Sequence, residues 1–220
     1  IKKKQNESWE IILKELSKNG IKVCGTKQLN VAEKRWLKTY FAKEIFPLLT
    51  PVAIDPAHPF PFVPNLGLSI VLKLKNKKSK NIIRVVIPFP KGLKKFIKVN
   101  DTNKFIPTDN LIIFFIDQLF PKYTFISYGA FRLIRDSDIE FSDEAEDLVT
   151  TFENQLRKRR YGREVLLEMT KSIPEDLKNM IINSLDIKRE NIIYAEHILD
   201  ISSANQITSS FKKELRWKNF

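Results

Sequence analysis

This sequence predicts an α+β fold built on a mixed, largely antiparallel sheet with packed helices, and three observations carry that expectation. Leu66, Leu68, Ile70, Leu72 and Leu74 alternate with Gly67, Ser69, Val71, Lys73 and Lys75, the two-residue period of a strand with one buried face. The polar turn Asn76-Lys77-Lys78-Ser79-Lys80-Asn81 leads into a second apolar run, Ile82 to Phe89, which makes the pair an antiparallel hairpin. Segments of helical periodicity are interspersed with such strands along the chain.

From the start, Trp9, Ile12, Leu13 and Leu16 fall at i, i+3, i+4 and i+7, and Asn19-Gly20 stops that helix. Its apolar side chains call for a partner, so it is expected to be the tail of a preceding helical domain. A second helix opens at Asn30 with Glu33 three residues on as a capping box, and runs through Trp36, Leu37, Tyr40, Phe41 and Ile45 to Pro47. Six prolines between Pro47 and Pro64 exclude helix and central strand there, and the apolar residues among them predict an extended, buried connection. After the hairpin come short strands near 96–99 and 104–107, then a helix capped near Thr108 or Asp109. That helix is apolar on nearly every side through Leu111, Ile112, Ile113, Phe114, Phe115 and Ile116, and ends at Phe120-Pro121. Strands follow at 124–127 and 131–135. A helix opening at Ser142 or Asp143 has acids in its first turn and Gly162 beyond its end. A strand at 164–170 precedes a capping box at Ser172 and Glu175, whose helix buries Leu177, Met180, Ile181 and Leu185. From Ile192 there is room for one more strand and a short helix. No internal repeat is present.

Composition narrows the class. The 220 residues carry 38 Lys and Arg against 26 Asp and Glu, a net charge of +12, with 43% hydrophobic residues, enough for a substantial core. No apolar run reaches the length of a membrane span. The start, Ile1-Lys2-Lys3-Lys4, has neither an initiating Met nor an apolar segment of signal-peptide type, and is expected to be that of a fragment. The single Cys24 excludes an internal disulfide, fits a cytoplasmic location and reads as a small buried hydrophobe. Charge is unevenly placed: between Val71 and Lys104 eleven Lys and Arg stand against Asp101 alone, whereas eight acids from Asp136 to Glu153 have no base among them.

Chemistry is hard to place. There is no Walker loop, dinucleotide fingerprint, HExxH or nucleophile elbow, and six glycines leave little for a phosphate cradle. His58, three residues after Asp55, forms the only tempting dyad, but no third catalytic group accompanies it. A loop histidine bonded to a backbone carbonyl is the preferred reading, and His197 is expected at the surface. Metal ligands are not expected anywhere. Two clusters are candidate polyanion sites: Lys73, Lys75, Lys77, Lys78 and Lys80 on the hairpin, and Arg157, Lys158, Arg159, Arg160 and Arg163. The first also fits an edge guarded against strand pairing, the second a helix C-terminus complemented by cations.

Tyr40-Phe41, Phe46-Pro47-Leu48-Leu49-Thr50-Pro51 and Asp55-Pro56-Ala57-His58-Pro59-Phe60-Pro61-Phe62 together resemble the start of the middle, or head, domain of the long, histidine-phosphorylated type of bacterial polyphosphate kinase. Further matches follow in the family's order: Asn65-Leu66, Phe105-Ile106-Pro107, Leu119-Phe120-Pro121, Phe131-Arg132-Leu133 with Arg135 and Asp138, Glu146-Asp147-Leu148, and Leu156 to Arg160 with Gly162. Leu166 stands where that family usually carries arginine, which puts the arginine's ion pair in doubt here.

The resemblance implies that residues 1–38 close a helical N-terminal domain, that residues 39–220 form the head domain, and that the C-terminal catalytic domains are absent. It implies a parent enzyme that moves the terminal phosphate of ATP onto polyphosphate with magnesium through a phosphohistidine. The parent would be cytoplasmic, an assignment compatible with peripheral membrane association. In the family the phosphorylated histidine has a lysine two residues on; here Phe60 and Leu199 occupy that spacing after His58 and His197. The chain itself is therefore expected to be inactive, with no cofactor of its own. Its expected partners are the enzyme's remaining domains, polyphosphate and a second copy, contacted through Leu111, Ile112, Phe114 and Phe115. The alternative is a free-standing basic nucleic-acid-binding module, disfavoured because most Phe sit at buried-looking positions rather than among the lysines.

Overall fold

The computed structural model describes residues 2–55, 60–136 and 164–208. Helix α1 (Lys2–Lys18) leads to the two-residue strand β1 (Lys22–Val23), and helix α2 (Val31–Tyr40) follows. The expected capping box is present: Asn30 Oδ1 accepts from the Glu33 N–H at 2.8 Å, and Glu33 Oε2 accepts from the Asn30 N–H at 2.8 Å. Beyond Tyr40 the helix widens into a π turn (Phe41–Ile45) and tightens into a 3₁₀ turn (Phe46–Leu48). Pro47 has no N–H to give and its ring crowds the carbonyl four residues back, so the regular ladder cannot pass through it.

The main sheet has six strands: β2 (Val52–Ile54), β3 (Leu68–Asn76), β4 (Ile82–Pro88), β7 (Tyr123–Arg135), β8 (Glu164–Thr170) and β9 (Ile192–Ala195). Their order is β2-β4-β3-β7-β8-β9, antiparallel throughout except for the parallel β8–β9 pair. A second sheet, β1-β6-β5, contains β5 (Phe96–Lys98) and β6 (Lys104–Pro107), with β1 parallel to β6. The fold is thus α+β with a mixed, largely antiparallel sheet. The β3–β4 hairpin closes as the alternation implied, with the Asn76 carboxamide oxygen accepting from the N–H groups of Lys78 and Ser79.

Both faces of β3 are buried, where the alternation predicted one. Ile70, Leu72 and Leu74 enter a core with Leu37, Phe41, Ile45, Leu111 and Ile112, while Val71 enters a second core with Val86, Phe131, Leu133, Leu177 and Ile181. The reason is position: β3 lies between β4 and β7 with helices packed on either side, so the face carrying Val71 is covered by helix α5 (Glu175–Leu185). Leu66, expected inside, is 53% exposed in a left-handed turn at φ 59° before the strand begins.

Other elements also depart from expectation. The strands foreseen at 124–127 and 131–135 are one strand, β7, because Gly129 lets the chain pass under Ile173, where an added Cβ would come within 2.3 Å of that side chain. The apolar helix is two short pieces, α3 (Thr108–Phe114) and α4 (Ile116–Leu119), and neither Thr108 nor Asp109 caps it. The cap is Pro107, and the Thr108 hydroxyl instead donates to the Lys94 carbonyl at 2.6 Å. Likewise α5 is capped by Pro174 and not by Ser172. Leu177 and Ile181 are buried as foreseen, with Met180 and Leu185 packed beside them.

In its described parts, 47–55 and 60–64, the proline-spaced segment is an edge rather than a buried connection. Leu49 and Val63 are inside, but Pro51, Val52, Ala53 and Pro64 are exposed, and β2 pairs with β4 at the margin of the sheet. Arg135 anchors its far end: its Nε donates to the Val63 carbonyl at 2.8 Å, its backbone N–H donates to Asn65 Oδ1, and its guanidinium lies 4.9 Å from the Phe62 ring centroid.

Helix α1 finds its partner within this chain. Trp9 is buried with Ile21, Phe96, Phe105 and Ile207, although Ile11 and Ile12 stay exposed. The division expected at residues 38 and 39 falls inside α2, whose Leu37 enters the same core as Phe41. Cys24 is buried in that core, and burial pushes its thiol pKa up. The expected helix opening at Ser142 or Asp143, and the acidic block after Asp136, lie outside the described residues.

Candidate polyanion face and cleft

The hairpin lysines separate into two groups. Lys73, facing the second core, is 24% exposed and its Nζ lies 2.7 Å from Asp176 Oδ2 in the first turn of α5. Arg84, its direct cross-strand partner, approaches the same oxygen at 3.8 Å. Lys75, Lys77, Lys78 and Lys80 cluster toward the turn, all exposed, and among the described residues none forms an ion pair; Lys77 donates to the Pro121 carbonyl. Among the described residues the hairpin therefore ends in four cations without an ion-pair partner within six residues, while Lys73 and Arg84 at its base share one carboxylate.

The other expected site residues are less concentrated. Arg157, Lys158, Arg159, Arg160 and Arg163 lie outside the described residues, as do Pro56, His58 and Pro59. Asp55 is exposed, and Phe60 packs against Phe131 with ring centroids 6.2 Å apart. His197 is at the surface, its Nε2 3.1 Å from Glu10 Oε1 on α1. Leu111, Ile112 and Phe115 are buried in this chain's own core, and only Phe114, 40% exposed, faces outward.

A cleft of about 220 Å³ between α1, β5, β7 and the segment after β9 was not visible in the sequence. Trp9, Phe89, Phe96 and Tyr128 give it aromatic walls, and Lys95, Asp109 and Asp200 bring charge into it. Helix α6 (Asn205–Thr208) fixes the lysine's backbone: Gln206 Oε1 accepts from the N–H groups of Lys95 and Phe96 at 2.8 and 3.1 Å. The ammonium sits 3.7 Å over the Phe89 ring, and burial lowers its pKa to about 8 against the opposing pull of Asp200 and Asp109. Burial raises the pKa of the Asp109 carboxyl, and it raises that of Tyr128, with Asp109 adding to the effect. Burial would also raise Asp200, but hydroxyls of Ser202 and Ser203 bonded at 2.6 and 2.7 Å, together with the field of Arg132 and the Ser202 backbone N–H, outweigh it and leave that pKa low. Beside these groups Arg132 and Glu168 form a cross-strand pair at 3.3 Å, Glu168 only 4% exposed. Asp109 stands where the sequence predicts a helix cap, and nothing local in the sequence marks Lys95 among the eleven cations of 71–104.

The architecture defines a basic α+β domain whose six-stranded sheet carries a lysine-tipped hairpin. The family model for the polyphosphate kinase middle domain matches residues 32–207. The polyphosphate kinase of Erythrobacter litoralis (strain HTCC2594) is 32% identical over 221 residues, covering 100% of this chain and 31% of that protein. That of Prosthecochloris aestuarii (strain DSM 271 / SK 413) is 33% identical over 219 residues, covering 95% and 31%. The crystal structure of polyphosphate kinase from Porphyromonas gingivalis superposes with a TM-score of 0.73 at 18% identity over 96% of this chain and 31% of that one, a likeness of fold. This chain belongs to the polyphosphate kinase middle-domain family, and it spans about a third of the length of the curated relatives it matches.

Proposed function

We propose that this chain is the head region of a polyphosphate kinase that reversibly transfers the terminal phosphate of ATP to polyphosphate through a phosphohistidine held elsewhere in the enzyme, and that its own part is to guide the polyanion and contribute subunit contacts. The observation that carries the guiding role is the exposed set Lys75, Lys77, Lys78 and Lys80 at the hairpin end, none of which forms an ion pair among the described residues. A linear polyanion holds condensed counterions, and each lysine that displaces one gains the entropy of its release. Ammonium groups meet phosphate as point charges, so this contact is weak, unspecific and suited to a chain that must slide. Arg157 to Arg163 is a second proposed contact. The exposed aromatics Phe46, Phe62, Phe114 and Tyr194 lie off the hairpin, which disfavours a base-stacking platform for nucleic acid.

Subunit contacts fall in this reading to Phe114, the exposed member of the four residues expected at an interface. Among the described residues no group of three or more His, Cys, Asp or Glu side chains is arranged to hold a metal ion. The isolated chain is proposed to be inactive because Phe60 and Leu199 stand two residues after His58 and His197, where the family's phosphorylated histidine is followed by lysine. No helix among the described residues is long and apolar enough to cross a membrane.

The test is to titrate polyphosphate at several salt concentrations into the chain and into a variant with Lys75, Lys77, Lys78 and Lys80 changed to Gln. Weaker binding and a shallower log–log salt dependence are expected. Identical affinity and slope in a folded variant would leave the hairpin a solvated edge and turn attention to Arg157–Arg163.

A further inference from the structure

We propose that Lys122, which precedes β7, is a fifth polyphosphate contact at the hairpin end, set opposite Lys77 so that two separate segments of the chain hold one stretch of polyanion. The inference rests on the guiding role proposed above and adds to it a residue outside the basic stretch of 71–104.

Register puts the two lysines together. The last pair of β3 and β7 is Asn76 with Tyr123, and the ladder runs one step further, the Lys77 N–H donating to the Lys122 carbonyl at 3.0 Å. Lys77 therefore lies opposite Lys122, and partners in a hydrogen-bonded antiparallel pair have Cα atoms about 5.5 Å apart. Lys77 Nζ is drawn the same way, donating to the Pro121 carbonyl at 2.9 Å. Lys122 is exposed, and among the described residues it forms no ion pair. The turn beyond is also fixed. The Asn76 N–H donates to the Asn81 carbonyl at 2.8 Å, and the Asn76 carbonyl accepts from the Lys80 N–H at 3.1 Å. With the Asn76 carboxamide bonded to the N–H groups of Lys78 and Ser79, Lys78 and Lys80 are presented on a bonded turn beside the pair.

Like charges directly opposite on neighbouring strands repel and cost stability. At the base of the same hairpin Asp176 offsets that cost, shared between Lys73 and Arg84. At its end no acid of the described residues pairs with Lys75, Lys77, Lys78, Lys80 or Lys122. Repulsion that is kept in the free chain and relieved by a multivalent anion marks a surface that gives up stability for binding. A linear polyphosphate fits it better than a single phosphate, because its charges repeat along a flexible chain and each lysine it meets releases a counterion.

The experiment titrates polyphosphate at several salt concentrations into the 220-residue chain and its variants. These are Lys122→Gln, Lys122→Glu, the quadruple change of Lys75, Lys77, Lys78 and Lys80 to Gln, and, as a control on α1, the exposed Lys4→Gln. Lys122→Gln should weaken binding about threefold and lower the log–log salt slope by roughly 0.7, the share of one contact with a flexible polyanion. Lys122→Glu should weaken it about tenfold, since it replaces an attraction by a repulsion. Urea unfolding without ligand should run the other way. At low salt both Lys122 variants should outlast the parent, the glutamate most, and the gap should close near about 1 M salt, where such charges are screened. A lysine that is only solvated would move neither readout. A quadruple variant that binds as the parent does would sink the guiding role and this inference with it. Loss of affinity in the quadruple variant, with Lys122→Gln equal to Lys4→Gln in affinity, slope and stability, would overturn the fifth contact alone.

Discussion

Lys73 Nζ and Asp176 Oδ2 lie 2.7 Å apart, joining the central strand β3 to the first turn of α5 across 103 positions of sequence. That contact separates Lys73 from the lysines nearer the turn: its charge is committed to holding α5 on the sheet, while theirs face solvent. The hydrogen bond from Lys73, ahead of the fields of Lys73 and Arg84, holds the Asp176 carboxyl below the usual carboxylate range despite opposing desolvation.

Asp176→Asn should therefore cost about 0.5–1 kcal/mol at neutral pH, the range of a partly exposed ion pair. A depressed folded pKa contributes stability that is fully present above the unfolded value, near 3.9, and is lost as pH falls through the folded value. Urea unfolding of both proteins should show a gap at pH 6 that closes toward pH 3. A gap independent of pH would mean that the ion pair is not its source.

Glu33 closes a capping box and also accepts from Lys104 Nζ at 2.8 Å, linking α2 to β6. The Lys104 hydrogen bond, then that of the Asn30 N–H, lowers its pKa. Glu33→Ala should destabilise by about 2 kcal/mol, as expected for a largely buried carboxylate with charge-assisted partners, and Asn30→Ala by about 1 kcal/mol. The Glu33 contribution should likewise fade below pH 4. Denaturation showing Glu33→Ala no weaker than a surface substitution would contradict this.

Gly129→Ala places a methyl group against Ile173, so it should cost about 2–3 kcal/mol by overpacking. Ile173→Ala removes the obstructing atoms. The double variant should be more stable than the sum of the two single losses allows, and strict additivity in a double-mutant cycle would refute the close approach.

The Cys24 thiol should resist an aromatic disulfide reagent in the native chain at pH 8 and react at once in urea, since it is buried and burial raises its pKa. Native reactivity matching that of a free thiol would show that this core opens readily.

Leu111→Ala should lower stability by about 3 kcal/mol as a core cavity, whereas Phe114→Ser should leave it nearly unchanged and weaken self-association in sedimentation. Association unaltered by Phe114→Ser would remove that residue from the proposed interface.

Periodicity and turn chemistry made the β3–β4 hairpin, the Asn30–Glu33 box, the β8 limits and the buried stripe of α5 legible, because each is decided by side chains a few residues apart. The proline-spaced motif made the family legible. What the sequence alone could not decide was which surfaces meet. That β3 is covered on both faces, that Trp9 docks onto Phe96, and that Lys73 is spent on Asp176 depend on packing between elements far apart in the chain. The cleft is the extreme case: Trp9, Lys95, Asp109, Tyr128 and Asp200 come from five separate segments, each with an ordinary local reading. Only the folded chain brings that lysine under an aromatic ring and away from water, and its altered acidity follows from this desolvation and from no pattern of neighbours.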